Sequence, residues 1–139
     1  MIQAKYVLVC DEVRREENGK FIILGLYTPD LSVPQIPFVT PAITFFMYLE
    51  SDRSGTFRFS VKLEHLESGQ SLADGMGQME FRGPGMGAAP VRFGNIQFRA
   101  GGSYIFSINI DGQPDPITTQ FNVVLNIPSV SVGLTKSGM

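Results

Sequence analysis

The densest cluster of charge in the chain runs Asp11-Glu12-Val13-Arg14-Arg15-Glu16-Glu17. Paired carboxylates do acid–base work only where burial pushes their pKa values apart. Neighbouring arginines instead hold both carboxylates ionised. The run therefore reads as a solvated hairpin end, with Asp11, Arg14, Arg15 and Glu16 offered to a partner. Cys10 and His65 are the only cysteine and histidine, and a nucleophile–base pair would require them to meet in space. Cys10 stands in an apolar run, where cysteine behaves as a small hydrophobe, and His65 falls in the outward or terminal part of its strand. One cysteine and one histidine fall short of a four-ligand zinc set.

Between Gly75 and Gly87 lie Gly75, Gly77, Gly83, Gly85 and Gly87. Backbone amides of such stretches can cradle phosphate. This one lacks the Lys-Ser/Thr of a P-loop and the spacing and helix of a dinucleotide fingerprint. It is expected to be a mobile loop around a short Met79–Phe81 strand, with Met76 and Met86 able to adapt to a partner surface. Asp30, Asp52, Asp74, Asp111 and Asp115 are expected in turns, where their own chemistry explains them. No cofactor, metal or catalytic residue is expected from these groups.

The elements that must position these residues are strands. Phe57, Phe59, Val61 and Leu63 alternate with Arg58, Ser60, Lys62 and Glu64, the period of a half-buried strand. Tyr104, Phe106, Ile108 and Ile110 repeat the pattern. So do Phe121, Val123, Leu125 and Ile127, and the shorter pairs Met79 with Phe81 and Ile96 with Phe98. Tyr6 to Cys10, Phe21 to Tyr27 and Ile43 to Leu49 are apolar on both faces. Their β-branched and aromatic content still favours strand, but each then needs a second cover. On the third of these, Phe46 and Tyr48 oppose Ile43, Phe45, Met47 and Leu49. The proline-rich segment, the tail or a protein interface must shield them, most simply the interface of a homodimer.

Asn18-Gly19, Asp52-Arg53-Ser54-Gly55, Glu67-Ser68-Gly69-Gln70, Ala100-Gly101-Gly102 and Asp111-Gly112 punctuate the strands as turns. Pro29, Pro34, Pro37 and Pro41 make a stiff edge or crossover, because proline donates no ladder hydrogen bond. Ser71–Asp74 holds at most one helical turn. The expected fold is all-β, a two-sheet antiparallel β-sandwich of roughly eight strands. It forms a single domain over residues 1–128, followed by a flexible C-terminal tail, 129–139.

The chain has 139 residues, 43% hydrophobic and 17% charged, with a net charge of −2. Such a balance supports a real core and offers no basic surface for nucleic acid or an anionic membrane. Low charge favours apolar surface covered by a partner. One cysteine suits a reducing cytosol, and Tyr6–Cys10 is too short for a signal-peptide core or a membrane span. A cytoplasmic protein is expected.

The run Ala4 to Glu16, with Cys10-Asp11 and Val13-Arg14, then Gly19-Lys20 and Gly25 with Tyr27, resembles the opening of a family of small bacterial proteins of unknown function. Their pattern is Cys-Asp-x-Val-Arg, Gly-Lys, Gly-x-Tyr. The resemblance implies a small, mostly β, non-secreted domain and transfers no activity. The function expected from the residues is a non-catalytic protein-interaction or assembly module. The alternative is a small-ligand or carbohydrate-binding β-sandwich using Tyr27, Tyr48 and Tyr104 as stacking platforms.

Overall fold

Nine strands carry the alternating pattern through a computed structural model that describes residues 1–28, 30–126 and 132–135. They are β1 Ile2–Arg15, β2 Phe21–Leu26, β3 Asp30–Val33, β4 Phe38–Ser51, β5 Gly55–His65, β6 Ser71–Phe81, β7 Gly85–Phe98, β8 Gly102–Ile110 and β9 Ile117–Leu125. A four-stranded sheet, β2-β1-β4-β7, faces a five-stranded one, β3-β9-β8-β5-β6. The all-β, two-sheet expectation holds. One pairing departs from it: β3 runs parallel to β9. That strand lies within the proline-bearing connection expected to be irregular. Flanked by Pro29 and Pro34, the four residues Asp30–Val33 cross to the second sheet and pair on one side only. Among the described residues no helix is long and apolar enough to cross a membrane. The tail expected from residue 129 lies outside the described residues except for 132–135, which are exposed and belong to no strand.

The core is aromatic and is closed by the two inner faces. Ile43, Phe45, Met47 and Leu49 of β4 point into it, opposite Leu63, Tyr104, Phe106, Ile108, Phe121 and Val123. Phe45 and Phe106 stack across the sheets with ring centroids 4.1 Å apart and planes 5° from parallel. Tyr104 and Phe121 stack beside them at 5.8 Å. Leu125, expected inward, is exposed. It lies past the end of β8, whose Gly102 already stands opposite Val123.

Two Gly-Met-Gly triplets, 75–77 and 85–87, in the stretch expected to be a loop, belong instead to long strands, β6 and β7. Ser71–Asp74 likewise opens β6 rather than a helical turn. A cross-strand ring explains one of the glycines. Gly77 pairs with Phe59, and a Cβ at Gly77 would stand 2.7 Å from the Phe59 ring. The missing side chain leaves the ring its seat.

The buried side changes along β4 and β7. Thr40 is buried three residues before Ile43, and Ile96 is buried three residues after Phe93, which packs on the core. A strand of unbroken period two would alternate them to opposite faces. The exchange coincides with Asn95, whose φ of 52° lies in the left-handed region that asparagine tolerates. The Phe38–Phe98 end of this strand pair thereby turns a second set of side chains, Phe38, Thr40, Ile96 and Phe98, toward the interior.

Candidate functional site

The N-terminal hairpin creates the two surface features that sequence motifs point to. β1 pairs with β4 only as far as Cys10 opposite Thr44. Beyond that residue it pairs with β2 alone, Cys10 to Arg15 against Leu26 to Phe21. The hairpin then turns over the outer face of its own sheet. Thr44 Oγ1 donates to the carbonyl of Asp11 at 3.2 Å, and the Cys10 thiol lies 3.7 Å from the carbonyls of Glu12 and Thr44. Phe21 packs edge-on against Phe46 at 5.1 Å. A straight hairpin would carry Phe21, opposite Arg15, roughly 20 Å beyond Leu8, the partner of Phe46.

This bend answers what covers the outer face. Phe46, expected to be offered outward, is only 5% exposed. Phe21 from the hairpin covers it. Tyr6 stacks beside it, 6.4 Å from Phe46 and 5.3 Å from Tyr48. Tyr48 is half-buried and Tyr6 is exposed. Burial, and the negative charge of Asp11 beside it, push the Cys10 thiol up, away from the thiolate that reactivity needs.

The charge cluster lies mostly on β1 rather than at a loop tip, because the strand extends through Arg15. Arg14 is 3.5 Å from Glu12, both exposed. The Arg15 guanidinium sits over the Phe21 ring at 5.9 Å. Glu16 closes the turn through its backbone, its N–H donating to the Lys20 carbonyl at 2.8 Å. On the exposed side of β2, Ile22, Leu24 and Leu26 follow one another at every second position, 40%, 37% and 56% exposed. The apolar run is plain in the sequence, but which side of it stays wet is not.

Asp11 belongs to a different grouping. A cleft of about 540 Å³ opens where the hairpin leaves the sheet, lined by Asp11, Tyr27, Leu31, Phe38, Thr40 and Arg92 among others. Gly25, with φ +65°, brings its backbone so close that a Cβ there would stand 2.1 Å from the Asp11 carboxylate oxygen. The Tyr27 hydroxyl interacts with Thr40 and with Asp11, and burial together with the Asp11 charge pushes its pKa up to about 12. Four residues of the quoted N-terminal pattern, Cys10, Asp11, Gly25 and Tyr27, thus meet at one place. Thr40 and Arg92 carry no sequence signal that could have joined them to it. They arrive through the pairing of β4 with β7, where Thr40 lies opposite Ile96 and Arg92 opposite Thr44.

His65, expected in the outward or terminal part of its strand, is the last residue of β5 and is buried. Its Nδ1 is 2.7 Å from Ser68 Oγ, and its Nε2 is 3.0 Å from both the Gly101 carbonyl and a Glu67 oxygen. The distances are those of a hydrolytic triad, but the partners serve the turn. Ser68 Oγ accepts from the Gln70 N–H at 3.2 Å, and Glu67 accepts from the Ser103 N–H at 3.1 Å. That N–H holds the Glu67 carboxyl below the usual range. The group ties the β5–β6 turn to the start of β8. Tyr104, expected as a stacking platform, is 1% exposed and belongs to the core. Of the aspartates expected in turns, Asp30 opens β3 and Asp74 lies within β6.

No curated protein matches the chain. Among solved structures, a mutant β-glucosidase from Listeria innocua in complex with laminaribiose is 6% identical with a TM-score of 0.50, over 89% of this chain and 16% of that one. The C-terminal domain of wzt is 14% identical with a TM-score of 0.48, over 99% and 82% of the two chains. The alkylpurine DNA glycosylase AlkC of Pseudomonas fluorescens, bound to DNA containing an abasic site analogue, is 7% identical with a TM-score of 0.41, over 84% and 30%. The chain spans a small part of the glucosidase, and identities this low speak to the fold alone. The sequence itself speaks to kinship: residues 5–130 match a family of unknown function (DUF6941), and the chain belongs to that family.

Proposed function

We propose that this domain is a non-catalytic assembly module that joins a second copy of itself through the free edge of β2. The observation that carries the reading is an unguarded edge. Each sheet has two edge strands, and exposed edges in folded proteins are normally blunted by charge or proline. β3 carries Asp30, β6 carries Asp74 and Glu80, and β7 carries Pro90 and Arg92. β2, Phe-Ile-Ile-Leu-Gly-Leu, carries neither and exposes three aliphatic side chains beside its free edge.

A two-fold axis beside β2 satisfies its unpaired backbone groups with those of an identical strand, without like-charge contact. Completing the burial of the three half-shielded aliphatics adds about 1 kcal/mol each. Against association entropy of several kcal/mol, that supports a weak, concentration-dependent dimer rather than an obligate one. Light scattering coupled to size exclusion, carried to about 1 mM because small interfaces are weak, is the test. The parent is expected to shift toward a dimer, and Leu24→Lys to remain monomeric with an unchanged unfolding midpoint. A parent that stays strictly monomeric throughout sinks the reading.

A further inference from the structure

A second observation, independent of the β2 edge, concerns the cleft under the hairpin. We propose that it is a binding site for a neutral, polyhydroxylated ligand of the size of a mono- or disaccharide. Its volume of about 540 Å³ falls within the range of small-molecule sites. Its polar groups are of both kinds. Asp11 can only accept hydrogen bonds, Arg92 can only donate them, and the Tyr27 and Thr40 hydroxyls can do either. Leu31 and Phe38 supply an apolar wall.

The charges select the ligand class. Asp11 and Arg92 line the same cleft, yet among the described residues neither closes an ion pair. Arg92 therefore keeps its donors, and Asp11 the acceptor capacity that Tyr27 leaves unused, for something between them. An anionic ligand would meet Asp11 and the adjoining Glu12, and a cationic one would meet Arg92. A sugar face satisfies donor and acceptor together, because every hydroxyl is both, and its C–H face can lie on Phe38. Gly25 supports the arrangement from behind. With no side chain it lets the Asp11 carboxylate lie against the β2 backbone, which orients the group toward Tyr27.

The test is an amide chemical-shift titration of the full chain with methyl glycosides of glucose, galactose and mannose, and with maltose and cellobiose. Glucosamine and glucose 6-phosphate are the charged arms. At least one neutral saccharide is expected to give saturable shifts centred on Asp11, Tyr27, Thr40 and Arg92, and to bind about tenfold or more tighter than its charged analogue. Asp11→Ala and Arg92→Gln should each weaken it by about tenfold, the loss of one hydrogen bond to a charged group. Leu24→Lys, which addresses the β2 edge, should leave it unchanged. Absence of saturable shifts with every neutral probe at about 50 mM, far weaker than any site of this size requires, overturns the proposal. So does equal or tighter binding of a charged analogue, or shifts confined to another surface. Shift mapping on the parent decides the matter even where a variant fails to fold.

Discussion

Substituting Gly25 by alanine probes the joint between the hairpin and the cleft. Two separate terms follow from the geometry. Alanine at φ +65° occupies the left-handed region, which costs about 1–2 kcal/mol for a residue with a Cβ. The new methyl would also stand 2.1 Å from one Asp11 oxygen and 2.7 Å from its carboxyl carbon, so the carboxylate must swing away. Losing its interaction with Tyr27 removes about 1 kcal/mol more. Gly25→Ala is therefore expected to destabilise by about 2–3 kcal/mol in the parent and by about 1–2 kcal/mol in an Asp11→Ala background. Urea unfolding of the four proteins, read from midpoints at a common slope, gives the cycle. The absorbance titration of the tyrosines gives a second readout, because displacing Asp11 removes one of the causes that raise Tyr27. Its late transition should move down in both single variants. If Gly25→Ala is equally costly in both backgrounds and leaves the Tyr27 titration in place, Asp11 does not lie against that backbone, and the cleft as described is wrong.

Other outcomes follow from the same contacts. Tyr27 has a folded-state pKa raised to about 12 from an ordinary value of 10.0, so its neutral form is favoured by folding. That contribution is complete below pH 10 and is lost as pH rises from 10 to 12. It amounts to about 2 kcal/mol after allowing for the partly exposed ring, and urea midpoints of Tyr27→Phe should fall less steeply over that window than those of the parent. Phe46→Ala should cost about 3–4 kcal/mol, as expected of a ring covered by Phe21, and should not abolish the β2-mediated dimer in the fraction that remains folded. Gly77→Ala should cost about 1 kcal/mol by crowding the Phe59 ring, and Phe59→Leu in the same chain should recover most of it. Differential scanning calorimetry of the two variants and their combination measures that coupling.

The sequence determined the strand content, the alternation that closes the core, and the presence of doubly apolar segments in want of a cover. These are local properties. A side chain every second residue faces the same way whatever the rest of the chain does, so Val61, Leu63, Tyr104, Phe106 and Ile108 were legible as core. Tertiary structure decided what lies over each outer face. Phe46 and Ile22 look alike in sequence, yet the bend beyond Cys10 buries the first under Phe21 and leaves the second at an open edge. The Gly-Met-Gly triplets read as loop because glycine disfavours strands on average, and only the Phe59 ring opposite Gly77 shows why a strand keeps one there. The cleft was half legible: Asp11, Gly25 and Tyr27 stood in the quoted pattern, while Thr40 and Arg92 were invisible. Their arrival depends on the register of β4 against β7 and on the change of face at Asn95, pairings that join segments far apart in the chain. Such long-range register is fixed by how whole faces fit together, and no local spacing records it.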